Sequence, residues 1–457
     1  MRLAHSAKSL VAGGFALSAA CIAVASCAGD GSVRGFVNGD APDATPSFGE
    51  DASNIEGCVN LQCQRVDCGA APKTSIHGVV VTPSWHRPDP LYNAVVYIPN
   101  EKVEPFAPGV ACDQCGAITS GAPVAAAVSA ADGSFTLNDV PVGKDIPLVV
   151  QIGRWRRQVT IPSVDACKVN VLDRELTRLP RNRGQGDIPR IALATGSVDP
   201  IECVLRKIGI DDSEFSAPSG VGRVHLYQQN GAVLTGSGAR GQDLWSDLEK
   251  LKTYDMVLLP CEGGVFPKSL AATQNMIDYT TLGGRMMTSH YGAVWIADAP
   301  APFPTTADWT PDSKQVEGPL LTKIDRSFPK GEALAAWLVA TGASNVLGQV
   351  SLDNPRHDVG MPRNGTQGWM YAASDATALL HLTFNTPVGK SADQQCGRVV
   401  YSDFHVASRE SFPADVFPTE CDSTPMTSSE RMLEFMLFDL ATCIQDGNEY
   451  PKPPPSR

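Results

Sequence analysis

From Pro189 onward, short apolar runs alternate with amphipathic helical stretches, and a chain patterned this way has to build a parallel-type sheet flanked by helices. "RIALATG" reads as a buried strand ending in a glycine turn. Asp199, Pro200 and Glu202 follow as a helix start: the aspartate as cap, the proline at the first position, the glutamate in capping-box spacing. Ile201, Val204, Leu205 and Ile208 carry the helical period and Gly209 ends it. "RVHLY", "MVLLP", "RMMTSH", "ALLHLTFN" and "GRVVYSDFH" read as further strands, with helices between several of them. A last helix is capped by Thr427 and Glu430, with an apolar face at Leu433, Met436, Leu437, Leu440 and Ile444. Eight regular βα units do not fit after Pro189, so a closed (β/α)8 barrel is rejected.

The first half has another period. Val79–Val81 and Val95–Ile98 are strand-like runs, and Leu148, Val150 and Ile152 alternate along one face. In "ADGSFTLNDVPVG", Asp132-Gly133 makes a turn and Phe135 and Leu137 point to one side. These residues predict β-structure over 74–165, and a sandwich over 74–167 is what the resemblance given below implies. Arg154-Trp155-Arg156-Arg157 reads as a hairpin with solvated arginines or as a basic contact patch.

The N-terminus reads as an export signal. Arg2 and Lys8 precede an apolar stretch from about Leu10 to Ala25, followed by Val24-Ala25-Ser26-Cys27. No later run is apolar for long enough to span a bilayer. Residues 28–56 are rich in Gly, Asp, Ser, Pro and Ala and read as a tether spanning on the order of 30 Å. The proline-rich end of 447–457 is expected to be disordered. A net charge of −12 argues against nucleic acid as a partner.

Thirteen cysteines fit an oxidising compartment. Once Cys21 leaves with the signal and Cys27 is set aside, the remainder is odd, so at least one stays unpaired. Cys58, Cys63, Cys68, Cys112, Cys115 and Cys167 are the disulfide candidates expected to staple a cysteine-rich segment, 57–73, to the sandwich. A zinc site is the other use of such cysteines, although the paired CxxC spacing of zinc ribbons is missing.

Four resemblances follow. Val24–Cys27 resembles the lipobox of bacterial lipoproteins, which implies that Cys27 carries lipid and attaches the chain to the inner or outer membrane. Ala28, where an aspartate would retain an enteric lipoprotein at the inner membrane, favours the outer one. The "ADGSFTLNDVPVG" pattern resembles the carboxypeptidase regulatory-like, transthyretin-like domain. Residues 189–446, after a linker at 168–188, resemble the class I glutamine amidotransferase-like superfamily and its ThuA-like branch. The implied fold is multidomain: the sandwich, then a doubly wound, mostly parallel, flavodoxin- or amidotransferase-like sheet. The whole arrangement resembles multidomain lipoproteins of myxobacteria-like organisms.

The resemblance puts Cys261-Glu262-Gly263-Gly264 where such enzymes keep an oxyanion loop, and "SHYG" at their nucleophile elbow. The elbow carries His290 and no cysteine, so glutamine hydrolysis through an acyl-enzyme is not expected. Glu262, His290, Tyr291, Asp403 and His405 fall at carboxyl ends of predicted parallel strands, where they converge on one crevice. They are the candidate catalytic residues, and His290 and His405 the candidate metal ligands. Three roles stay open for the histidines: strand-end side chains bonded to backbone, ligand-binding groups, or a general base oriented by Asp403. No residue is assigned to a cofactor, and whether the chain uses one is left open. The leading expectation is a cell-envelope lipoprotein that binds a ligand or an envelope partner; the rival is an exported ThuA-like hydrolase or sugar-modifying enzyme.

Overall fold

The computed structural model describes residues 57–456 apart from residue 116, residues 311–315, residue 317 and residues 407–411. The export signal, Cys27 and the tether 28–56 lie outside the described residues. Among the described residues no helix is long and apolar enough to cross a membrane.

Seven strands form the first part: β1 (Ser75–Val79), β2 (Val95–Pro99), β3 (Pro123–Val128), β4 (Ser134–Asn138), β5 (Gly143–Ile152), β6 (Trp155–Val164) and β7 (Val169–Val171). They make two sheets, ordered β4-β1-β7 and β3-β2-β5-β6. Ile76, Phe135 and Leu137 from the first sheet share a core with Val96, Ile98, Leu148 and Val150 from the second. In β4, Phe135 and Leu137 are buried while Thr136 and Asn138 are exposed, the alternation a half-buried strand requires.

The stretch expected as a linker is part of the fold. β7 pairs in parallel with β1, a short helix α1 (Arg174–Thr177) follows, and Leu179 and Ile188 are fully buried. Its polar, arginine-rich composition concealed this, because Arg178 and Arg181 are buried through bonds to Glu175 and to backbone carbonyls.

The second part contains β8 (Ile191–Ala194), α2 (Ile201–Ile208), β9 (Phe215–Ser216), β10 (Val224–Tyr227), α3 (Gly241–Trp245), α4 (Leu248–Leu251), β11 (Met256–Leu259), α5 (Leu270–Thr281) and β12 (Arg285–Ser289). Then come β13 (Ala307–Trp309), β14 (Leu320–Ile324), α6 (Pro329–Ala340), β15 (Gln349–Leu352), β16 (Val359–Pro362), β17 (Gln367–Ala372), β18 (Asp375–Thr386), β19 (Gly397–Ser402) and α7 (Ser428–Ala441). Ten strands lie in one sheet, ordered β15-β14-β17-β18-β19-β12-β11-β8-β10-β9.

The run from β9 to β19 is parallel, but β18, β17, β14 and β15 are each antiparallel to their neighbours. The sheet is therefore mixed, with five of its nine pairings parallel. Only two residues join β17 to β18, a connection that permits a hairpin and not a crossover. In the parallel half the order β10-β8-β11-β12-β19 is that of a flavodoxin-like sheet, whose switch point lies between β8 and β11.

Helix α2 ends at Gly209 (φ 111°), and a Cβ there would strike the backbone of Pro83 and Ser84. Thr427 caps α7: its hydroxyl accepts from Glu430 N–H at 3.1 Å, and the Glu430 carboxylate accepts from Thr427 N–H at 2.8 Å. The expected cap on α2 is not made. Pro200 is the N-cap, and no side chain bonds the helix start.

The two parts share one core. Trp155 meets Phe438, Tyr92 stacks on Phe435, and Trp337 Nε1 donates to Pro90 O at 2.6 Å. The basic hairpin is not solvated. Arg154 pairs with Asp113 and Asp255, Arg156 pairs with Asp187, and Trp155 is buried.

Five disulfides add to this: Cys58–Cys63, Cys68–Cys167, Cys112–Cys396, Cys115–Cys443 and Cys203–Cys421. Only Cys68–Cys167 ties the cysteine-rich segment to the sandwich. Cys112 and Cys115 instead join the first part to the second, across 284 and 328 residues of sequence. Among the described residues, Cys261 is the free cysteine. The chain end is not without packing: Pro454 is buried, and Pro451 and Pro454 line a small cavity with Gln151, Gly153 and Cys443.

Candidate functional site

Four adjacent parallel strands, β8, β11, β12 and β19, end on the same side of the sheet. Asp199 follows the first, Cys261 the second, Ser289 and His290 close the third, and Asp403 and His405 follow the fourth. Neighbouring strands lie about 4.8 Å apart, so side chains just beyond these ends meet. This is the crevice beside the β8/β11 switch point.

β12 breaks at His290, which has φ 41°. That is the left-handed region, costly for a residue with a Cβ and tolerated where the surroundings fix it. A 3-10 helix, His290–Trp295, starts there, so the imidazole stands at the head of a sharp strand-to-helix turn. Cys261 Sγ lies 3.4 Å from His290 Nδ1, and Asp358 Oδ2 lies 3.3 Å from His290 Nε2. The His290 and His405 rings meet edge to face, with centroids 4.9 Å apart. Tyr291 is half-buried, its ring 3.8 Å from that of His290.

Asp199 is fully buried. It accepts from Ser289 Oγ at 2.6 Å and from Val406 N–H at 2.9 Å, and lies 3.3 Å from His405 Nδ1. Ser289 Oγ in turn accepts from Cys261 N–H at 3.0 Å. Burial would raise the Asp199 carboxyl; His405, Ser289 and the Val406 amide hold it below the ordinary carboxylate range.

Asp403 does not orient a histidine. Its Oδ2 accepts from the Asp358 and Val359 amides at 2.6 and 3.3 Å, and its Oδ1 accepts from Tyr401 OH at 3.1 Å. It fixes the loop between β15 and β16 against the strand ends, where Arg356 N–H donates to Asp403 O and His405 N–H to Asn354 O. Burial, and then Asp358, push the Asp403 carboxyl well above its usual range.

Glu262 does not join the histidines either. Its carboxylate takes Lys268 Nζ at 2.5 Å and Gln229 Nε2 at 2.7 Å, and both partners line a neighbouring cleft of about 470 Å3. Gln228, Gln229, Asn230, Arg240, Gln242, Trp245, Phe266 and Lys268 line that cleft. Lys268 Nζ also sits over the Trp245 and Trp295 rings, at 5.2 and 5.3 Å.

Cys261, His290 and Asp358 stand in the order of a thiol, base and orienting acid, yet the thiol is not poised to react. Cys261 is fully buried, and burial with the nearby Asp199 pushes it up to about 12. His290 is pushed down to about 3 by burial, then by His405 and Arg356, so it is neutral at pH 7. A nucleophilic cysteine needs a thiolate reachable by substrate. Gly263, at the expected oxyanion loop, turns its N–H onto the Cys261 sulfur at 3.4 Å. Its φ of +85° makes a side chain there strained, and a Cβ would displace the Ser197 hydroxyl.

The structure thus brings His290, Tyr291 and His405 together, and adds Asp199, Cys261, Ser289 and Asp358. Asp199 was concealed as an apparent helix cap. Its place after the first strand of a doubly wound sheet was the signal available for it.

No protein-family model matches the sequence, and no curated protein matches it. Among solved structures, the chain is similar to a cytoplasmic protein from Salmonella typhimurium (11% identity, 57% of this chain and 100% of that one, TM-score 0.30). It is also similar to a ThuA-like protein from Bacteroides uniformis (11%, 57% of this chain and 95% of that one, TM-score 0.32). A third likeness, to a cohesin–X-dockerin complex from Acetivibrio cellulolyticus, covers 30% of this chain and 85% of that one (16%, TM-score 0.17). Likenesses of this degree say nothing of activity.

Proposed function

We propose that the chain is an envelope lipoprotein, attached through Cys27, whose α/β part binds a small polar ligand and performs no amidotransferase chemistry. The sandwich, in this reading, is a carboxypeptidase regulatory-like module that carries the binding part. The observation that supports binding is the amide-rich cleft beside the switch point. Gln228, Gln229, Asn230 and Gln242 offer donors and acceptors, while the exposed Phe266 ring offers a flat apolar face. That mixture suits a polyhydroxylated ligand, which presents hydroxyls at its rim and C–H faces between them. The volume suits a mono- or disaccharide.

The test is titration of the oxidised chain, produced without residues 1–27, with a panel of mono- and disaccharides, followed by isothermal calorimetry. Binding is expected to be saturable, and at least tenfold weaker in Gln229→Ala. No saturable change with any saccharide, or equal affinity in the variant, contradicts the reading.

A further inference from the structure

We infer that Cys261, His290 and His405 form a binding site for a borderline-soft transition ion such as Zn2+. One ligand atom from each residue lies within 4.8 Å of the others, and all three residues are buried. Around a tetrahedral zinc with one sulfur and two nitrogen ligands, such atoms stand about 3.5 Å apart. The Cys261 Sγ–His290 Nδ1 separation of 3.4 Å is already of that size. A thiolate with two imidazoles suits zinc or copper better than magnesium or calcium, which prefer oxygen.

An independent observation points the same way. Each histidine has a buried carboxylate at its other nitrogen: Asp358 at His290 Nε2 and Asp199 at His405 Nδ1, both at 3.3 Å. Metal-ligating histidines are held in this way, because the carboxylate takes the remote N–H and leaves the near nitrogen's lone pair for the ion. His290 would bind through Nδ1 and His405 through Nε2. Asp199 is itself fixed by Ser289 and Val406, so the second layer is built as firmly as the first. Binding would exchange the Cys261 S–H proton for the ion and release that proton to solvent. Three protein ligands leave one coordination position for water or a fourth group.

Co2+ serves as the probe. The oxidised chain lacking residues 1–27 is treated with a chelator, dialysed and titrated with Co2+. The expected result is one ion per chain, with a sulfur-to-cobalt charge-transfer absorption in the near ultraviolet. Cys261→Ser should remove that absorption. Asp199→Asn, which leaves all three ligands in place, should weaken Co2+ binding about 10–100-fold. A wild-type chain that keeps its circular dichroism yet shows no such absorption overturns the inference, whether or not any variant folds. Stoichiometric binding that survives both Cys261→Ser and His405→Ala overturns it equally. Because the probe is the ion alone, failure here leaves the saccharide cleft untouched, and the reverse.

Discussion

Glu202 sits in the first turn of α2 and is fully buried, with no hydrogen-bond partner for either carboxylate oxygen among the described residues. Burial pushes its carboxyl up to about 8. The folded state therefore holds a proton that the unfolded chain releases above the ordinary glutamate range near pH 4.3. This contribution to stability is complete below that range and is lost as pH rises through about 8. Urea unfolding at pH 5 and pH 8 should show the wild type losing on the order of 1–3 kcal/mol more than Glu202→Gln over that interval. Equal losses would show that Glu202 does not titrate with folding. The same few residues mark the limit of the sequence. Asp199, Pro200 and Glu202 have the spacing of a helix start, and local spacing carries no information on burial. Here tertiary structure takes both carboxylates away from the helix end, one for His405 and Ser289, the other into the core. The histidines were legible because their strands are continuous apolar runs whose ends are easily placed. Asp358 was not, since it lies in a loop whose path depends on the amides that Asp403 accepts.

Among the elements, α7 has the expected cap at Thr427 and Glu430 and the expected buried face at Leu433, Met436, Leu437 and Leu440. Thr427→Ala should cost about 1 kcal/mol in urea unfolding by removing one reciprocal cap bond. A change below a few tenths would mean that packing alone holds the helix. Ile444 continued the apolar period on paper but lies beyond the helix, which ends at Ala441. The helix is followed at once by Cys443, bridged to Cys115. The antiparallel half of the sheet was hidden for a related reason. β17 and β18 are joined through Ala373 and Ser374, which lack the Asn-Gly signature of a tight hairpin. Without that signature, buried antiparallel strands read like the parallel ones beside them. The strained turn at His290 was legible as a break, because a strand-like run stops and small residues follow.

At the scale of the whole molecule, two disulfides reinforce the core that the two parts share. Cys112–Cys396 and Cys115–Cys443 close loops of hundreds of residues, and replacing either pair with serine should cost roughly 2–4 kcal/mol. Thiol titration of the denatured, unreduced chain lacking residues 1–27 should find a single free thiol, on Cys261. Three or more would contradict the pairing. Cys27→Ala should release the full-length protein from a membrane pellet, and unchanged attachment would refute the lipid anchor.

The strand ends divide their labour between a closed cluster around His290 and an open cleft beside Glu262. Native-state alkylation with iodoacetamide tests it directly. Cys261 should stay unmodified at pH 7 over a time in which the urea-unfolded chain is fully labelled. Stoichiometric labelling of Cys261 in the folded protein would make it a reachable thiolate, and would turn the reading from binding to catalysis.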